Sequence, residues 1–160
     1  MDDEMRGVKG WLLTFVIIIA LVSPAWSAIN VYRELYTGDA AYLPDTPMLS
    51  QVKSFGWALI AVRAALGLFA AWRLVMVQNW RSVQIAIVCI WLISLGGAIA
   101  EYVGISTITG ASISDLMAEN GPRAFLQAIG FGLIWTAYLL KSERVKNTYR
   151  GVQDDVEVFE

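Results

Sequence analysis

Residues 55–102 read FGWALIAVRAALGLFAAWRLVMVQNWRSVQIAIVCIWLISLGGAIAEY. Two apolar segments flank the polar turn Gln78-Asn79-Trp80-Arg81-Ser82, a connection too short for anything but an antiparallel helical hairpin. Each segment is about 20 residues long, enough for a helix to cross a hydrocarbon core of about 30 Å. Arg63 lies inside the first segment and Glu101 closes the second. An arginine within a span is costly and normally faces protein or water. Folding the hairpin at Asn79 and Trp80 sets Arg63 level with Gly96, and Glu101 then lies about 7.5 Å further along the axis. A guanidinium reaches that far, and its planar fork suits a carboxylate held at two points. Arg63 is therefore expected to point into the bundle and pair with Glu101.

Outward from the hairpin, a first apolar span covers residues 10–32, flanked by Arg6, Lys9 and Arg33. A signal peptide is the rival reading, with Trp11–Val22 as its apolar region and Ala25-Trp26-Ser27 as a small-residue cleavage site. Apolar character resumes at Ala28-Ile29-Asn30-Val31-Tyr32, so an uncleaved span with a kink at Pro24 is expected. Arg33–Ser50 reads as an outer loop, and Asp45-Thr46-Pro47 as a helix start capped by Thr46 or Asp45. The second and third spans are placed at 53–77 and 82–102. A second outer loop, Gly104–Gly121, should hold a short helix over Ser114–Glu119. Pro122 should open a fourth span, 122–140. The basic stretch Lys141–Arg150 reads as a solvated anchor, followed by an acidic cytoplasmic tail over 151–160.

Small residues mark the packing faces. Gly56, Gly67 and Ala70 share a stripe with Arg63, and Ser94, Gly97 and Gly104 share one with Glu101. Close approach of the second and third helices at Gly67 and Gly97 is expected, with overpacking of about 1–3 kcal/mol in Gly97→Leu. On the fourth span Ala124, Ala128, Gly132 and Thr136 form a ladder that should pack against protein.

A composition 57% hydrophobic and 16% charged is too apolar for an ordinary soluble domain. The net charge of −2 argues against nucleic acid as a partner. The chain has no histidine and a single cysteine, Cys89, inside an apolar run. Those counts remove His-ligated haem, His-based triads and an intramolecular disulfide, and no metal or other cofactor is expected. Lysines and arginines at 6, 9, 73, 81, 141, 144, 146 and 150 fall on one side, against Arg33, Lys53 and Arg123 on the other. Both termini are therefore expected to be cytoplasmic. The fold class is an all-α membrane protein, a four-transmembrane-helix bundle.

Gly10-Trp11-Leu12-Leu13-Thr14-Phe15-Val16, then Ser23-Pro24, and Tyr138-Leu139-Leu140-Lys141-Ser142-Glu143-Arg144-Val145-Lys146-Asn147-Thr148-Tyr149 resemble the bacterial inner-membrane proteins grouped as domain of unknown function 2569. The resemblance runs from about Val8 to Arg150, with Glu143 standing where that family usually has lysine. It implies an uncleaved first span, about four helices and an inner-membrane location, and it carries no catalytic or ligand residues. Two functional readings follow from the residues themselves. One is an accessory or regulatory bundle that binds another membrane protein, or a second copy of itself, through its glycine and alanine faces. The other is a small transporter or a lipid- or solute-binding protein, in which Arg63, Glu101, Asn30 and Gln127 line a polar cavity. Beyond these the lipid bilayer is the expected partner. No phosphate loop, metal-ligand spacing or nucleophile-base pair suggests an enzyme.

Overall fold

Thr46 and Pro47 open the second helix as their chemistry dictates: the Leu49 amide donates to Thr46 Oγ1 at 3.2 Å, and Pro47 occupies a first-turn position where no amide is needed. The computed structural model describes residues 8–38, 42, 44 and 46–149, with the backbone alone at 119 and 120. Asp45, Arg6, Arg150 and the acidic tail lie outside the described residues. Four helices are long and apolar enough to span a membrane. They are α1 (Trp11–Thr37), α2 (Pro47–Met76), α3 (Trp80–Thr109) and α4 (Ile113–Lys141), followed by a short α5 (Glu143–Tyr149). The described residues contain no strand, and the chain is an all-α, multi-pass membrane protein.

Several boundaries differ from those expected. The second outer loop contracts to residues 110–112, because α3 runs on to Thr109 and α4 already begins at Ile113. Gly110 makes that turn possible with φ at 72°, a left-handed conformation that suits glycine. The Ser112 hydroxyl caps α4 by accepting from the Asp115 amide at 3.2 Å. Pro122 then sits inside α4 and does not open it. Gly121 before it has no Cβ to clash with the proline ring, which removes part of the usual pre-proline penalty.

Pro24 acts through the register of α1. Residues Ile18–Val22 form a π turn in which the Ser23 amide donates to the Ile18 carbonyl. Pro24, in the first turn of the α segment that follows, offers no amide to the Ile19 carbonyl five residues back. That carbonyl lies against Gly67 of α2, where any added Cβ would collide with it. Gly67 thus admits the backbone of α1, and not that of α3 as expected.

Packing is concentrated at one end. Leu12, Phe15, Leu74, Val83, Ile90 and Leu139 are fully buried where α1 starts, α2 meets α3 and α4 ends, with Cys89 beside them. Elsewhere Trp26, Val62, Trp72, Val88, Leu126 and Ile134 face outward, the pattern of a lipid-exposed surface. The tail expected to be solvated completes this core: α5 folds back and buries Val145, Thr148 and Tyr149. Their spacing at i, i+3 and i+4 makes one apolar face, which the surrounding charges hide in the sequence. Glu143, in the first turn of α5, takes the ammonium of Lys146 at 3.1 Å on the exposed face.

The Tyr149 hydroxyl donates to the Leu74 carbonyl at 2.7 Å, partnering one of the orphan acceptors in the last turn of α2. Tyr149→Phe leaves that buried carbonyl unpaired and is expected to cost about 1–3 kcal/mol. Burial, helped by neighbouring Tyr138, also raises the Tyr149 pKa above its ordinary value. Because the folded state favours the neutral phenol, this contribution should be intact below about pH 10, the pKa of an unfolded tyrosine, and fall away as pH rises further. Unfolding measured from pH 7 to 11 should show an alkaline loss that Tyr149→Phe reduces.

Candidate functional site

Away from the packed end the bundle is hollow. Arg63, near the middle of α2, donates from Nη2 to Glu101 Oε2 of α3 at 3.1 Å. The contact is a single bond and not the two-point grip expected, and Arg63 Nε is buried without a hydrogen-bond partner. The guanidinium lies against Gly97, where a Cβ would come within 2.9 Å of Cζ and closer still to Nε. Gly97 therefore makes room for the arginine head and does not bring two backbones together. Gly97→Ala is expected to displace a flexible side chain, a small loss of stability of about 1 kcal/mol. Its larger signature should be weaker coupling between positions 63 and 101 in a double-mutant cycle.

Two open clefts meet at this ion pair. One, of about 430 Å³, is walled by Asn30, Glu34, Phe55, Arg63, Glu101 and Gln127 among others. The second, of about 370 Å³, shares Ser27, Arg63, Glu101, Ala124 and Gln127 with the first and continues along Ile93, Ala98 and Phe131. Asn30 from α1 and Gln127 from α4 thus stand where the sequence places them, on the wall beside the charged pair. Glu34 was missed. It lies beyond Tyr32, where apolar character ends and the sequence suggests an outer loop; the helix continues past it in a π turn over Arg33–Thr37. The cavity therefore holds two carboxylates and one guanidinium.

The remaining small residues are used within the chain. Gly132 receives the ring of Trp91, whose atoms would lie 3.1 Å from an added Cβ, and the Trp91 indole N–H donates to Thr136 Oγ1 at 3.2 Å. The lower rungs of the α4 ladder therefore pack, while Ala124 and Ala128 line the clefts. Phe55 covers Gly104, and Tyr102 stacks on Phe125 with centroids 5.7 Å apart. Among the described residues, no group of three or more His, Cys, Asp or Glu side chains is placed to hold a metal ion.

A family model described as "Protein of unknown function (DUF2569)" matches residues 5–150. The chain belongs to the DUF2569 family. A search of curated proteins and a search of solved structures find no match to this DUF2569 chain. The matched region spans all four membrane helices and α5, so the cavity and the packed end both belong to the family's domain.

Proposed function

We propose that this DUF2569 protein is a non-enzymatic binding protein of the bacterial inner membrane, which holds a small zwitterionic or cationic group in the cavity around Arg63 and Glu101. The observation that carries the reading is the convergence of Asn30, Glu34, Arg63, Glu101 and Gln127, from all four helices, on one open cleft. Intramembrane charge of this kind is rarely kept without a use. Two carboxylates against one arginine leave a surplus negative charge that favours a cation. The core at the terminal end of the bundle closes the cavity's floor, which favours binding over conduction. Docking on a larger membrane partner has less support, since Gly67, Gly97 and Gly132 are occupied by Ile19, Arg63 and Trp91. The Lys and Arg distribution favours cytoplasmic termini, with the cavity opening on the opposite face. A reporter fused after Gly110 should then read as periplasmic; a cytoplasmic signal there would reverse the assignment.

Thermal unfolding of the purified protein with soluble probes (ethanolamine, O-phosphoethanolamine, glycine betaine and glutamate) tests the binding reading. An amine-bearing probe should raise the melting temperature, and the double variant Arg63→Met with Glu101→Leu should remove the shift. If no probe stabilises the protein, or the double variant responds like the parent, the cavity is not a binding site.

A further inference from the structure

The two clefts share the ion pair and leave it in different directions, and what lies along each identifies the ligand. The larger descends from Glu34, in the last turn of α1, to Arg63 at the middle of α2, and is polar at both ends. The smaller leaves the ion pair along Ile93, Ala98, Ala128 and Phe131, with Ser23, Ser94 and Tyr102 also on its walls. The larger is walled mostly by α1 and α2 and the smaller mostly by α3 and α4, and both reach α1 and α4. Near the packed end these helices touch through Phe15 and Trp135, ring centroids 4.7 Å apart. Further along they diverge, so that Ser27 of α1 and Ala124 of α4 face the clefts. A gap between two membrane-spanning helices is a route by which a lipid would reach the clefts from the side.

Resting on the cavity reading above, we infer that the ligand is a membrane phospholipid with a primary-ammonium headgroup, taken in sideways between α1 and α4. Its ammonium lies by Glu34 and Glu101, its phosphate by Arg63, and one acyl chain along Ile93, Ala98 and Phe131. With Glu101 already holding the arginine, the phosphate shares the guanidinium and the ammonium answers both carboxylates, so the zwitterion adds no net charge to a cavity that is already negative by one. An ethanolamine headgroup presents N–H donors that form charge-assisted hydrogen bonds with carboxylates. A choline headgroup has none, and a glycerol headgroup brings a phosphate for Arg63 but no ammonium to answer the two carboxylates. An acyl chain along Ile93, Ala98 and Phe131 exchanges lipid for protein walls at little cost, so selectivity rests with the headgroup.

The test is native mass spectrometry of the full-length protein released from mixed micelles containing equal phosphatidylethanolamine, phosphatidylcholine and phosphatidylglycerol, beside O-phosphoethanolamine binding followed by thermal shift. Phosphatidylethanolamine should be retained about tenfold or more over the other two, the ratio expected from charge-assisted bonds made by one headgroup only. Ala128→Trp, which fills the smaller cleft away from the ion pair, should abolish lipid retention while O-phosphoethanolamine still binds. Ala98→Leu narrows the same cleft from α3 with a smaller change and guards against misfolding of the tryptophan variant. Glu34→Gln should lower binding of both probes and erase the headgroup preference. Equal retention of phosphatidylglycerol, or lipid retention unchanged in folded Ala128→Trp and Ala98→Leu, overturns the inference. If O-phosphoethanolamine binds and no lipid is retained, the lipid inference falls and the cavity reading stands; if neither binds, both fall.

Discussion

Glu101→Leu should destabilise the protein by about 3 kcal/mol, roughly twice the loss in Arg63→Met, with both read from unfolding in the same detergent. The asymmetry comes from exposure: the Arg63 side chain is 19% exposed and that of Glu101 47%. Removing the glutamate strands a cation that is mostly buried, whereas removing the arginine leaves a carboxylate that still reaches the open cleft. Replacing both residues should recover more than half of the larger loss, because no unpaired charge then remains. Glu34 shares the cavity and is placed to take over part of the pairing. Adding Glu34→Gln to Glu101→Leu should therefore deepen the loss. Equal costs for the two single variants would mean that the pair is solvated alike on both sides and that the cavity does not shelter the arginine.

Gly67→Leu should be as damaging, about 3 kcal/mol, the upper end for overpacking. At Gly97 and Gly132 an intruding side chain meets movable side-chain atoms, but at Gly67 it meets the Ile19 carbonyl in a π turn that Pro24 prevents from tightening. The backbone of α1 would have to withdraw, opening the core at Phe15 and Ile19. Gly130→Leu is the matched control. Nothing lies within 4 Å of a Cβ at Gly130, so its cost should stay within about 0.5 kcal/mol. A similar melting temperature for the two variants would show that α1 is not held against α2 at that point.

The hairpin of α2 and α3, the span count and the Arg63–Glu101 juxtaposition were legible in the sequence because each follows from short-range geometry. A turn as short as Gln78–Ser82 allows only one pairing of its flanking helices, and a fixed rise per residue then sets the register. The guanidinium rests on Gly97, one residue beyond Gly96 in the direction of Glu101, as befits a side chain reaching for that carboxylate. Asn30 and Gln127 were legible for a different reason: polar groups inside apolar helices have few places to go. Which helix a glycine face would meet was not legible, because periodicity defines a face and says nothing of its partner. The π turns at Ile18–Val22, Arg33–Thr37 and Leu92–Gly96 leave no repeat to read, and the second of them carried Glu34 out of the expected loop into the cavity. Charge misled at the other end, where the basic residues around Val145, Thr148 and Tyr149 looked like a solvated anchor.

The clasp between Tyr149 and Leu74 bears on the order in which the molecule is made. A ribosome delivers Leu12 and Phe15 first, and their cover on α5 emerges only after every membrane helix has been synthesised. Until then the nascent bundle has an open end next to the insertion machinery, with the Leu74 carbonyl free. Closure of that end is therefore a post-insertion event, and a chain cut before Glu143 would carry the four membrane helices described above yet remain unsealed. Such a product should be recognised by membrane proteases that ignore the finished chain.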